Sequence, residues 1–366
     1  MIKNRSANKG EWSELYAFFR MLDDGRVYAA DENANKIDGK YVPIVSIARD
    51  WSEESTPEYF VGEKISIYQE DDIAKEILTH DVRLNSELLF SKIIQGSSEL
   101  ESGSFCIPDI EKFLDEMNIW KIKSPSKEKI DLKMTVKDSV LGENSILGFS
   151  LKSDMGSPPT LLNSGKNTRI RYKINGLSDK QIEEINNVKG KDYMMRKIEK
   201  LFLTTSEVLY DAYLSDVFKN NLILIDSKMP NILGEIVLTH YKNMKIYDCE
   251  DILKIISNYN PLGFPNTNAY QYKFNKLLVA SALGMTPGKV WNGNESATGG
   301  YIIIKRNGEV LFYHISNRNI FEKYLMKNTR FDRPSASRHD YGYIYTIENC
   351  NYIDLNFQIR FKKIKK

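Results

Sequence analysis

Three runs of strand length follow one another between residues 130 and 174, with only turn-rich segments between them, and this limits the fold more than any other feature of the chain. In the first, residues 130–138, Ile130, Leu132, Met134 and Val136 alternate with other residues and share one face by the two-residue period of a strand. Asp138 falls on that face at the strand's end, while Asp131 falls on the opposite face and reads as structural or solvated. The segment SVLGENS then supplies Gly142 and Asn144 for a chain reversal. In the second run, 146–153, Gly148, Ser150 and Lys152 point one way and Leu147, Phe149 and Leu151 the other. Residues 169–174 alternate again. Strands this close in sequence can pair as hairpins, and helical patterns surround them, so the expectation is α/β with a mixed sheet.

Before this cluster, Trp12, Leu15, Tyr16, Phe19 and Leu22 recur at three- and four-residue spacing and predict a helix over 11–22, capped by Asn8 or Ser6. Short strands are predicted at 27–30, 41–47 and 64–68, and helices at 72–78 and 110–117. The polar segment SPSKEK, 124–129, reads as a connector. From Ser178 the pattern is helical, with strands returning at 301–305, 309–315 and 352–361. Three regions follow from this: 1–125 with the first helix, 126–177 with the strand cluster, and 178–366, which can pack as one body with that cluster.

Composition sets outer bounds. The 366 residues are 42% hydrophobic and 27% charged, ordinary for a chain that buries a sizeable core. Cys106, Cys249 and Cys350 are far apart and odd in number, which speaks against a disulfide framework and for a reducing, cytoplasmic setting. No segment has the apolar length of a membrane span or a secretory leader. The net charge of +2 says little, but residues 301–366 hold thirteen Lys or Arg against six Asp or Glu, while 50–116 is rich in acids. That asymmetry suits a polyanion-facing region backed by an acidic one, and it equally suits scattered solvated charge.

Two antiparallel strands can bring Asp138 near Ser150 and Lys152. A carboxylate beside a lysine at a strand end is what is needed to hold Mg²⁺ against a phosphodiester, since that ion prefers hard oxygen ligands and keeps waters. As a bare pattern, Asp-x(n)-Ser-x-Lys is weak, because most strand-end lysines are merely solvated. His314 reads as a packed strand residue, and His80 and His240 have no ligand-like neighbours.

Longer strings carry more weight. GFSLKSDMGSPPTLLNSGKNT (148–168) resembles the central motif of HpaII-type restriction enzymes. ANKGEWSELY, AADENANKI, LVASALGMTP, GGYIIIKRNGEVLFYHISNRNIFEKYL and NTRFDRPSASRHDYG resemble the same family, in the expected order across essentially the whole chain. The resemblance implies a PD-(D/E)xK core with helical insertions and a C-terminal α+β region, and site-specific, Mg²⁺-dependent cutting of double-stranded DNA. It implies Asp138 as the metal-bridging carboxylate and Lys152 as the catalytic lysine, with Ser150 where an acid is usual and Leu151 at the metal. Glu14, four residues after Gly10, matches a glycine-to-glutamate pattern in related junction-cutting nucleases and is the candidate to supply the missing carboxylate, with Glu11 as rival. Both acids also suit a helix N-terminus without any metal.

Beyond Lys152, Ser157, Asn163, Ser164, Lys166, Asn167 and Arg169 suit phosphate contacts. In the later loop Arg330, Arg333, Ser335, Ser337, Arg338 and His339 suit base reading, arginine being the commonest reader of guanine. A solvated arginine-rich loop is the plain alternative. The family points to a G/C-rich palindrome, CCGG or a near relative, hence a homodimer on DNA, with a cognate cytosine methyltransferase as genetic partner. A structure-specific repair nuclease and an inactive sensor of cytosine methylation are the competing readings.

Overall fold

The computed structural model describes residues 5–49, 56–69, 72–99, 103–123, 130–137, 143–205 and 207–363. They fall into two compact units. One holds the described residues up to Pro159 together with Glu295–Tyr324, and the other Thr160–Asn294 with Leu325–Lys362. The first break between them falls at Pro159/Thr160, and the Gly300–Ile304 strand returns to the first unit to pair with the Asn144–Ser153 strand.

The first unit is built on a nine-stranded mixed sheet. Its order is Arg26–Ala30, Val310–His314, Gly300–Ile304, Asn144–Ser153, Leu132–Lys137, Lys36–Ala48, Glu58–Phe60, Lys64–Gln69 and Asp72–Leu78. Two neighbouring pairs are parallel: Gly300–Ile304 with Asn144–Ser153, and Val310–His314 with Arg26–Ala30. The long Lys36–Ala48 strand pairs with Arg26–Ala30 through its first part and with Leu132–Lys137 through its last. The sheet thus folds back on itself and leaves Asp72–Leu78 at the edge.

The first helix, Lys9–Asp24, starts where the sequence places it. Asn8 Oδ1 accepts from Glu11 N at 3.0 Å and Glu11 Oε2 accepts from Asn8 N at 2.9 Å, a reciprocal cap that satisfies two orphan donors. Gly25, in the left-handed region at φ 61°, ends it. Trp12, Leu15, Phe18, Phe19 and Leu22 are buried in one core with Leu132, Met134, Phe149 and Leu151. That core fixes the helix against the strands that carry Asp131 and Lys152. Phe18 meets Tyr59 edge to face at 4.9 Å between ring centres.

One expected helix is a strand. Residues 72–78 form the edge strand Asp72–Leu78, and the helix follows at Thr79–Glu99. The apolar pair Ile73 and Ile77 fits either period, and pairing decides: Ile77 lies opposite Ile65, and Lys64 Nζ bonds Glu76 Oε2 at 2.8 Å. The predicted connector, 124–129, lies outside the described residues.

The second unit is largely helical, with two small antiparallel sheets. A four-stranded sheet runs Val208–Tyr213, Ile170–Ile174, Cys350–Leu355, Ile344–Ile347, and a three-stranded one Thr160–Leu162, Gln358–Phe361, Thr329–Asp332. The single strand expected at 352–361 is therefore two, in different sheets. Buried Asn356 makes the break: its Oδ1 accepts from Phe357 N at 2.9 Å and from Thr168 Oγ1 at 2.7 Å, and its Nδ2 donates to Gly165 O at 3.0 Å.

Candidate active site

Register builds the site. Leu132 lies opposite Phe149 and Lys137 opposite Asn144, so the residue just before the first strand of this hairpin meets the far part of the second. That residue is Asp131. Its backbone N–H donates to Phe149 O at 2.9 Å. Its Oδ2 accepts from Leu151 N at 2.7 Å and from Ser150 Oγ at 3.3 Å, and lies 4.0 Å from Lys152 Nζ. Lys152 Nζ in turn donates to Leu151 O at 2.8 Å. Asp131, Ser150, Leu151 and Lys152 form one connected group at the end of the strand pair.

Among the described residues, the carboxylate beside Lys152 is that of Asp131. Asp138 itself lies outside the described residues. Its neighbour Lys137 pairs with Asn144, eight residues before Lys152 and about 26 Å along an extended strand. In a hairpin, residues beside the turn pair with each other, whereas a residue far before the turn pairs far after it. The parity of faces agrees: Leu132, Met134 and Val136 are buried in the core, and Asp131 alternates with them. Asp131, expected to be structural or solvated, is held by the Leu151 N–H and the Ser150 hydroxyl beside Lys152.

Glu14 is drawn into the same electrostatic group. Burial pushes its carboxyl up to about 7, the charge of Asp131 adds to the rise, and Lys152 and Arg49 oppose it. Arg49, which sequence reasoning did not single out, is 2% exposed, donates through Nη2 to Ile122 O at 2.8 Å and lies over the Phe18 ring at 5.5 Å. Burial lowers its guanidinium to about 9, while Glu14, Tyr59 and Asp131 hold it up. The rival acid, Glu11, is occupied by the helix cap and stands 3.7 Å from Lys123 Nζ.

The expected DNA-contacting residues separate into two places. Ser157 is exposed in the segment that follows Lys152. The others lie in the second unit. Asn163 and Lys166 are exposed, Ser164 Oγ donates to Gln358 Oε1 at 3.3 Å, and Asn167 is half-buried. Arg169 Nη1 donates to Asp340 O at 3.1 Å, which ties this segment to the later loop. In that loop Arg333 is held by Met244 O and Tyr247 OH, both at 2.8 Å, and stacks over the Tyr247 ring. Arg330 lies on the Thr329–Asp332 strand opposite Arg360. Ser335 Oγ accepts from Arg338 N, and Ser335, Ser337 and Arg338 are exposed, with His339 half-exposed.

The described residues thus give a mixed-sheet protein with a carboxylate–lysine pair at a strand end. The chain belongs to the HpaII restriction endonuclease family, whose model matches residues 8–361. It is 40% identical over 360 residues to the type II restriction enzyme HpaII of Haemophilus parainfluenzae, covering 97% of this chain and 98% of that one. No solved structure matches.

Proposed function

We propose that this type II restriction endonuclease hydrolyses both strands of DNA at a short G/C-rich palindrome, with Asp131, Glu14 and Lys152 as its catalytic group on a PD-(D/E)xK-type core. The observation that carries the assignment is the Asp131–Ser150–Leu151–Lys152 group, in which a lysine ammonium stands 4.0 Å from a carboxylate fixed by a backbone N–H.

The donor set suits Mg²⁺. Burial, and after it the like charge of Asp131, lifts the Glu14 carboxyl to about 7, so the pair is short of positive charge. Among the described residues no group of three or more His, Cys, Asp or Glu is gathered as a closed metal cage. Two carboxylates and the Leu151 carbonyl, completed by water and phosphate oxygens, are what a magnesium ion ordinarily accepts. When bound, the ion supplies charge for the pentavalent transition state and acidifies water.

The chain's own residues do the rest. The Leu151 N–H and the Ser150 hydroxyl fix the Asp131 carboxylate in one orientation. The Leu151 carbonyl holds the Lys152 ammonium beside that carboxylate, where it can orient the attacking water and stabilise charge on the phosphate. Water oxygen bonds to phosphorus, the bond from phosphorus to the 3′ oxygen breaks, and that oxygen takes a proton, leaving 5′-phosphate and 3′-hydroxyl ends. Exposed Lys166 and Asn163 suit backbone contacts, and exposed Arg338 suits guanine. A palindromic target calls for a homodimer on DNA. Such an enzyme works in the cytoplasm beside a methyltransferase that protects the host's own sites.

Plasmid incubated with Mg²⁺, before and after C5-methylation of CG sites, tests this. Discrete fragments blocked by methylation and lost in Lys152→Ala are expected. Structure-dependent nicking at no fixed sequence, or binding without cleavage, refutes the reading in favour of a repair nuclease or a methylation sensor.

A further inference from the structure

We infer that Lys9, with Arg306 beside it, forms a second phosphate clamp that grips the DNA backbone next to the phosphodiester being cut. The inference rests on the reading that the Lys152 end of its strand faces the scissile phosphate. Three segments of the first unit meet there. The ladder continues one residue past the Asn144–Ser153 strand, Asp154 N donating to Ile304 O at 2.9 Å, so Asp154 lies about 7 Å beyond Lys152. The turn between the Gly300–Ile304 and Val310–His314 strands brings Arg306 to the same place, its Nε 3.0 Å from Asp154 O and 3.2 Å from Asp154 Oδ2. The first helix docks on that turn through Tyr16 OH, which donates to Gly308 O at 2.8 Å. Lys9, at the start of the helix, lays its aliphatic stem beside Gly156.

The charges at this junction do not cancel. Lys305 is paired with Glu309 at 2.6 Å and Arg306 with Asp154, but the Lys9 ammonium has no hydrogen bond or ion pair among the described residues. It is partly buried, and burial together with Arg306 lowers its pKa from the usual lysine value. A cation that is desolvated and set near a second cation destabilises the free protein, and an anion placed between the two relieves both terms. The substrate brings a phosphate every nucleotide, and the distance from Lys152 to Asp154 is on the scale of one nucleotide step. A backbone phosphate flanking the cut position is the anion that the substrate offers there.

The test reads binding, so it does not depend on cleavage. Affinity of a fluorescent duplex without any CCGG is measured against salt in EDTA, for the wild type and for Lys9→Met, which keeps the stem against Gly156. Loss of one phosphate contact should reduce the slope of log K against log salt by about 0.9 and weaken binding about eightfold at 0.1 M salt, the difference fading toward 1 M. An unchanged slope overturns the inference. A second measurement needs no variant: in a CCGG duplex, single methylphosphonates are placed in turn on either side of the cut position, and wild-type binding is measured in Ca²⁺. One flanking position should lose affinity in the wild type and lose none in Lys9→Met; equal losses in both proteins overturn it. A Lys152→Ala protein that still cuts would sink the active-site reading instead, leaving these two results to stand by themselves.

Discussion

Asp131 and Asp138 have the same side chain and differ in how far each lies in sequence from the turn that follows. Asp131 sits opposite Ser150 by continuation of the register and accepts from Leu151 N, whereas the neighbour of Asp138 pairs with Asn144. Asp131→Asn should therefore cut cleavage by about a thousandfold or more, as loss of a metal carboxylate does, while Asp138→Asn should retain wild-type turnover. Plasmid cleavage by the two variants decides between them, and a dead Asp138→Asn beside an active Asp131→Asn would reverse the assignment. Glu14 gives a second, thermodynamic prediction. Its carboxyl ordinarily titrates at 4.5 and is held at about 7 in the fold. Between those values the folded protein keeps a proton that the unfolded chain releases, so stability contributed by this group falls as pH rises, by about 3 kcal/mol in all above pH 7. Without metal, melting temperature should drop across pH 4.5–7 more steeply for the wild type than for Glu14→Gln. Mg²⁺ at pH 8 should then raise the wild-type melting temperature more than that of the variant.

Among the elements, the returning strand Gly300–Ile304 completes the parallel edge of the Lys152 strand, with Ile303 opposite Lys152. Gly300 opens it at φ 121°, and a Cβ there would run into the Tyr313 carbonyl of the paired strand. Gly300→Ala should cost about 2–4 kcal/mol from strain and lost pairing, read by thermal melting or denaturant midpoint. In the second unit the two exposed arginine-bearing segments are joined by Arg169 and the Asp340 carbonyl, and each arginine has a different job by virtue of its partners. Arg333 spends its donors on Met244 O and Tyr247 OH, so Arg333→Ala should lower stability as well as activity. Among the described residues Arg338 bonds only through its backbone N–H to the Ser335 hydroxyl, and Arg338→Ala should leave the melting temperature within about 1 °C while eroding discrimination between the preferred site and one-base variants. Equal cleavage preference in that variant would remove Arg338 from the recognition surface.

For the whole molecule, the symmetry of the proposed palindromic target sets the expectation. A palindrome presents two identical phosphodiesters related by a twofold axis, and one chain carries one Asp131–Lys152 group. Sedimentation of the protein in Ca²⁺ should show two chains per duplex containing the site. One chain per duplex, with full double-strand cleavage retained, would require successive single-strand cuts.

The chain's own order of residues was enough for the first helix and its cap, since Asn8, Glu11 and Gly25 act within a few positions of one another and the apolar stripe needs no distant partner. It was also enough for the strands around Lys152 and for the family. Pairing across the chain decided what local patterns left open. Residues 72–78 became a strand because Ile65 and Ile77 face each other, and 352–361 broke in two because Asn356 bonds Thr168 and Gly165 from a buried position. The pairing of Asp131 with Lys152 belongs with these. Alternation says which face a carboxylate takes, but only the register of a hairpin says which lysine it meets, and register depends on where the chain turns and what the core buries.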